Sequence, residues 1–317
     1  MRPNPLSARA LKPCLLAAWL AFASLCSGAS GPSSFAYVLQ ADAFAKTRPA
    51  AVEKLAACGR EWIVLDAAFS SDEPWSRADL DAIRRPVPGR KVIAYISIGE
   101  AEDYRPYWRK DWGTKKNLTA AAPAWLGAEN PAWKGNYRVK YWHAGWQRLT
   151  LATVDDAMTR GFDGVYLDIV DGFETFEQEG KEFIDDRVNP ETKQSYRRDM
   201  VDWVKAIAAR AQKKTPAALV IPQNGSQLLA HTDFLTAISG IGIEDLFTEG
   251  NKLQPKSHTQ EILVHLKKMA AAGKPMLLIE YPKTDARKDI VRRQAKENGL
   301  TWLITDRQLK TLGESGP

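Results

Sequence analysis

Eight short apolar runs, each closing on a polar or acidic residue and each a few tens of residues from the next, constrain this 317-residue chain more than any other feature. They occupy residues 35–40, 62–66, 92–97, 164–168, 218–223, 240–245, 276–280 and 301–305. Between them lie amphipathic stretches, at 49–58, 146–160, 191–213, 259–272 and 286–298, whose apolar residues recur at helical spacing. Gly59, Gly161, Gly273 and Gly299 stand just before the next run, where glycine ends a helix. Strand and helix in alternation predict an α/β fold, a single (β/α)8 TIM barrel. One such barrel takes about 250 residues, so residues 30–317 are read as one domain.

Residues 1–29 are of another kind. Arg2, Arg9 and Lys12 precede the apolar run 15–25, and Ser27, Gly28 and Ala29 offer small side chains for cleavage. This reads as a secretory signal peptide, and the mature protein as secreted or periplasmic. The run is too short to span a membrane comfortably, so no stable insertion is expected after cleavage. Cys26 follows Leu25, where a lipobox wants a small residue, which argues against lipid anchoring. Cleavage also removes three of the six net positive charges. The basic balance then says little about nucleic acid, and no Lys/Arg cluster interleaved with aromatics suggests such a partner. Cys58 is the one cysteine of the mature chain, which excludes an intramolecular disulfide and suits a small buried hydrophobe. His143, His231, His258 and His265 have no ligand spacing, so neither a metal nor another cofactor is expected.

Acidic residues cluster where a barrel would place its ligand, at the carboxyl ends of the strands. The run Gly161 to Asp171 enters through glycines and ends in Asp168 and Asp171. Its bland alternative is that Asp168 caps the next helix. The third run leads into Gly99, Glu100, Glu102 and Asp103, a sequence that elsewhere would read as a solvated loop. After it comes a long insertion, 103–142, holding Trp108, Trp112, Trp125, Trp133, Tyr137, Tyr141 and Trp142. Loops of that length are usually functional, and aromatic faces both stack on sugar rings and serve as packing. The sixth run ends in Glu244 and Asp245, which strand alternation sends to opposite sides. One of them faces Asp168 across the pocket, and two carboxyl groups so placed are the equipment of a glycosidase.

At these residues the chain resembles the glycosidases related to endo-α-1,4-polygalactosaminidase, glycoside hydrolase family 114. The resemblance rests on residues 93–102, 161–168 and 242–247, with Tyr137-x-Val139-x-Tyr141-Trp142 between them, and runs in order over nearly the whole mature chain. It implies a barrel hydrolase of an α-1,4-linked, galactosamine-rich exopolysaccharide. It also implies Asp168 and Glu244 as the catalytic pair, Asp168 as nucleophile or charge stabiliser and Glu244 as general acid/base, or the reverse. An unacetylated galactosamine unit is cationic, and Asp66, Glu100, Glu102, Asp103, Asp171, Asp245 and Glu280 all fall at expected strand ends. Crowding would raise the pKa of each by the charge of the others. Gln223, Asn224 and Tyr281 are expected as hydroxyl or amine partners, and Tyr95, Tyr104, Tyr141 and Trp142 complete the expected substrate-binding set. Two other classes stand beside this one: a barrel that binds amino-sugar polysaccharide without turnover, and a metal-dependent deacetylase or lyase, which the lack of paired histidines disfavours.

Overall fold

A computed structural model describes residues 31–114 and 117–317; the expected signal peptide, 1–29, lies outside the described residues. Eight strands follow one another: β1 (Phe35–Val38), β2 (Trp62–Asp66), β3 (Lys91–Ser97), β4 (Gly164–Asp168), β5 (Leu219–Pro222), β6 (Ile241–Glu244), β7 (Met276–Glu280) and β8 (Thr301–Ile304). Each coincides with one of the expected runs. They pair in parallel as β1-β2-β3-β4-β5 and as β6-β7-β8. A parallel bridge from Gln223 to Gly242 joins β5 to β6. On the other flank β1 lies beside β8. There the Thr301 hydroxyl donates to the Pro32 carbonyl at 2.7 Å, and the Leu39 N–H donates to the Leu309 carbonyl at 2.9 Å. A short antiparallel strand β9 (Glu314–Gly316), which the sequence pattern did not announce, pairs with β8, and its Ser315 hydroxyl accepts the Phe35 N–H at 3.0 Å.

The connecting helices are α1 (Arg48–Ala57), α2 (Arg77–Arg84), α3 (Ala144–Arg160), α4 (Tyr196–Lys214), α5 (Thr232–Ala237), α6 (Lys256–Ala271) and α7 (Asp285–Glu297). Two of them, α2 and α5, were not expected. A capping box of Ser76 and Asp79 starts α2. Pro86 follows its C-cap Arg85, where the missing N–H and the ring stop a helix. The expected helix from 191 begins later, at Tyr196, because Ser195 caps it by accepting the Arg198 N–H at 3.1 Å. Gly161 closes α3 at a φ of 100°, a conformation that favours glycine. No helix among the described residues is long and apolar enough to cross a membrane.

Alternation along the strands sorts the side chains into two layers. One face carries Phe35, Tyr37, Val64, Ile93, Tyr95, Tyr166, Ile221, Leu277, Ile279, Tyr281 and Leu303, packed together as one buried cluster. The intervening residues, such as Ile63, Ala94, Val165, Val220, Ile241 and Leu278, join the apolar faces of the helices in a second, larger core with Trp146, Trp203, Met269 and Val291. The segment between β3 and α3 forms its own antiparallel sheet of Glu100–Glu102, Asn136–Val139 and Leu126–Glu129. Its rings pack in sequence: Trp108 against Tyr137, Trp112 edge-on to Trp125, and Trp125 against Trp146 of α3, with centroids 4.6, 5.4 and 5.1 Å apart. Each such pair adds about 0.5–1.5 kcal/mol beyond area burial, so these aromatics fasten the segment to α3.

Candidate active site

Tyr166 and Asp168 lie two residues apart on β4, so they share its inner face. Asp168 is held from three sides. Its Oδ2 accepts the Tyr95 hydroxyl at 2.7 Å, and its Oδ1 accepts Gln223 Nε2 at 3.0 Å and the Ile169 N–H at 2.8 Å. Burial raises its pKa, the bonds from Tyr95 and Ile169 draw it back, and the charge of Glu102 adds a small upward push. The helix-cap alternative is not what the chain builds, because the 3-10 turn Val170–Phe173 starts from Ile169 with no side-chain cap.

Glu244 ends β6 on the same inner face, in register with Gly242. Its Oε1 accepts the Tyr281 hydroxyl, and its backbone N–H donates to Asn224 Oδ1 at 3.1 Å. Burial and the neighbouring Asp168 charge push its carboxyl up to about 8, against the pull of Tyr281 and Arg307. Asp245 turns away, as alternation requires, and forms an ion pair with Arg307 at 2.7 Å. A third carboxyl, Asp171, is pushed up to about 7 by burial, then by Asp168 and Glu174; the Asn224 side chain bonds to it and pulls down.

Around the pair lie four buried tyrosines, Tyr37, Tyr95, Tyr166 and Tyr281. Burial is the first cause holding each phenol protonated, and the charges of Asp168, Glu244 or both add to it. The Tyr37 ring lies 5.1 Å from that of Tyr166 and 6.3 Å from that of Tyr95. The Tyr166 hydroxyl has no hydrogen-bond partner among the described residues. Sequence reasoning passed over Tyr37 and Tyr166, although the period of two places Tyr166 on the face of Asp168.

Beside Tyr95 opens a cleft of about 800 Å³, lined by Asp66, Glu102, Tyr104 and Arg105 and bounded by the hairpin after β2 and by α3. Asp168 and Glu244 do not line it; Tyr95, which donates its hydroxyl to Asp168, is the wall it shares with that carboxylate. Arg105 pairs with Asp66 at 2.7 Å and with Glu102, whose other oxygen accepts the Tyr104 hydroxyl at 2.7 Å. Tyr104 is half exposed, with the Arg105 guanidinium 5.2 Å from its ring centre.

The profile of glycoside-hydrolase family GH114 matches residues 71–316. The chain belongs to this family. It is a glycoside hydrolase. A protein of Deinococcus radiodurans is 32% identical to it over 253 residues, 80% of this chain and 75% of that one. Among solved structures, the glycoside hydrolase domain of PelA from Pseudomonas aeruginosa matches with a TM-score of 0.64 at 20% identity, covering 90% of this chain and 99% of that one. Aspergillus fumigatus Ega3 in complex with galactosamine matches with a TM-score of 0.64 at 18% identity, covering 90% and 96%. At these identities the likeness is one of fold.

Within this GH114 chain the remaining expected site residues divide. Asn224 and Tyr281 meet at Glu244, and Asp66, Tyr95, Glu102 and Tyr104 line the cleft. Four are placed elsewhere. Tyr141 is fully buried, its hydroxyl donated to the Tyr196 carbonyl at 2.7 Å, and Trp142 packs on Phe176 and Tyr196 while donating Nε1 to Glu191 at 2.9 Å. These two rings pack into the β4–α4 connection. Glu100 is buried and clasped by the side-chain amides of Asn130 and Asn136 at 2.8 and 3.3 Å. Glu280 faces outward, because Ile279 and Tyr281 take the inner face of β7, and it accepts the N–H groups of Phe247 and Thr248 at 2.7 and 3.2 Å. Among the described residues no group of His, Cys, Asp and Glu is arranged to hold a metal ion.

Proposed function

We propose that this protein is a secreted hydrolase of an α-1,4-linked, galactosamine-containing polysaccharide, with Asp168 and Glu244 as its catalytic pair at the mouth of a closed (β/α)8 barrel. The observation that carries the reading is the unequal environment of two carboxyl groups, Glu244 being raised by burial and by the charge of Asp168. Asp168 accepts three hydrogen bonds, which favour its ionised form, whereas Glu244 accepts one side-chain bond and is pushed up to about 8. With its carboxyl pushed up to about 8, Glu244 keeps its proton near neutral pH. Glu244 then protonates the leaving glycosidic oxygen, while Asp168 attacks the anomeric carbon or steadies the oxocarbenium-like centre. When water completes the reaction, Glu244 takes up its proton.

Support for closure comes from the inner cluster, which draws side chains from strands of both sheets. Support for the substrate class comes from the Ega3 complex with galactosamine and from the cleft, where Asp42, Asp66, Asp72, Glu102 and Asp156 outnumber Arg105 and Arg160. An acidic cleft on a basic chain suits protonated amino sugars. The signal-like segment 1–29 supports export.

The test is mass spectrometry of products after incubation with partially deacetylated galactosaminogalactan and with neutral α-glycans. Oligosaccharides released only from the amino-sugar polymer, and lost in Asp168→Asn and Glu244→Gln, are expected. Release by the wild type that both variants retain would remove the pair from the mechanism.

A further inference from the structure

Arg307 stands on the segment that follows β8 and makes two contacts at once. Its Nη1 and Nη2 lie 2.7 and 3.0 Å from the two carboxylate oxygens of Asp245, a bidentate pair. Its guanidinium carbon sits 4.1 Å from the centre of the Tyr281 ring. Both partners bear on Glu244. Tyr281 donates its hydroxyl to Glu244, and Asp245 is the next residue in the chain, held at a left-handed φ of 51°. A non-glycine residue keeps such a conformation when its surroundings fix it. The Asp245 N–H donates to the Ile279 carbonyl at 3.1 Å and its carbonyl accepts Gln254 Nε2 at 2.8 Å, so the side chain is the remaining anchor, and Arg307 holds it.

We propose that Arg307 is a positioning residue of the active site, clamping the Asp245 turn and covering the Tyr281 ring so that the Glu244 carboxyl stays aimed at Asp168. The proposal rests on the assignment of Glu244 made above. Arginine suits the place, since its planar fork pairs with a carboxylate through two bonds while its face stacks on a ring, a combined geometry that the point charge of lysine does not reproduce. The charge acts as well. Glu244 is faced by Asp168 and Tyr166 from β4, Tyr37 from β1, Tyr281 from the end of β7, Asp245 beside it, and Arg307. Arg307 is the cation in that set and favours the ionised carboxylate.

The experiment is an NMR titration of Glu244 in protein carrying 13C at the glutamate carboxyl groups, with the resonance assigned by Glu244→Gln. It is run on wild type, Arg307→Gln and Arg307→Lys, alongside kcat and KM on the polymer. The Arg307 side chain is 43% exposed, so neither variant opens the core. In Arg307→Gln the midpoint should rise and kcat fall by about tenfold or more, as expected when a reacting group is misaimed, with KM nearly unchanged. Arg307→Lys should restore the midpoint but not kcat. In a Tyr281→Phe background Arg307→Gln should cost little more. A midpoint unmoved in Arg307→Gln, or a kcat fully rescued by lysine, overturns the proposal. If the wild type cleaves no polymer, the functional reading fails, and the midpoints still decide whether Arg307 governs Glu244.

Discussion

One methyl group at Gly242 should disable the site from beneath. A Cβ there would lie 1.9 Å from the Tyr166 hydroxyl, 2.7 Å from its Cζ and 3.2 Å from its Cε2. Ordinary contact is about 3.5–4.0 Å, so the ring would have to withdraw by roughly 1.5 Å. It has nowhere to go. Tyr166 is fully buried, its ring packs against Tyr37, and β6 is fixed by pairing with β7 and by the bridge from Gly242 to Gln223. Overpacking of this kind costs about 1–3 kcal/mol, and a rigid backbone on one side with a buried ring on the other points to the upper end. At about 2–4 °C per kcal/mol for a domain of this order of size, Gly242→Ala should lower Tm by roughly 6–12 °C. Activity should fall further, because the displaced ring lies two residues before Asp168 and the methyl two residues before Glu244. Tyr166→Phe removes the atom at 1.9 Å, so the double variant should recover part of the loss. Alone it should be nearly neutral for stability, since the hydroxyl is buried with no partner among the described residues. Thermal unfolding of the four proteins by circular dichroism decides the matter. A Gly242→Ala Tm within about 1 °C of wild type would refute the packing argument.

Two further outcomes follow from the carboxyl groups and the aromatics. The pKa of Glu244 is raised from 4.5 to about 8, so the stability it contributes is complete below about 4.5 and is lost as pH rises through about 8. The stability of Glu244→Gln relative to wild type should therefore climb between pH 5 and pH 9, by about a few kcal/mol, read as a widening Tm difference, and parallel Tm curves would contradict the burial of this group. Tyr141→Ala removes a fully buried ring and should cost about 3–5 kcal/mol in denaturant unfolding while leaving KM alone. A raised KM at unchanged stability would return Tyr141 to the substrate.

The strands were legible because a buried parallel strand is a continuous apolar run with sharp ends. β2, β4 and β7 coincide residue for residue with 62–66, 164–168 and 276–280. The helices α2 and α5, of eight and six residues, complete too few turns for a period to stand out, and β9 is the nearly featureless Glu314–Gly316. Asp168 and Glu244 were visible as acids at strand ends. Glu280 shows where position alone misleads, since its strand ends one residue before the inward-facing Tyr281. The alternation that separated Glu244 from Asp245 separates Glu280 from Tyr281 in the same way. The packing of Tyr141 and Trp142 against Phe176 and Tyr196 was not legible, because aromatic residues in a long segment carry no mark that tells a staple from a sugar platform.

What stayed hidden is how the acids are sorted, because that depends on cations brought in by distant loops. An acidic mouth in which every carboxyl raises the others would spread its repulsion thinly. Here Arg105 neutralises Asp66 and Glu102 on one side, Arg307 neutralises Asp245 on the other, and Glu100 and Glu280 are absorbed by amides. Asp168, Asp171 and Glu244 are left with no salt bridge among the described residues, beside tyrosines that offer hydrogen bonds but no charge. A phenol that cannot ionise steadies a carboxylate without supplying a counterion, so burial and mutual repulsion dominate at the centre. Those are the two forces that separate the protonation states of a catalytic pair. The paired acids at the rim free the central ones to differ, and that difference is the chemical content of the site.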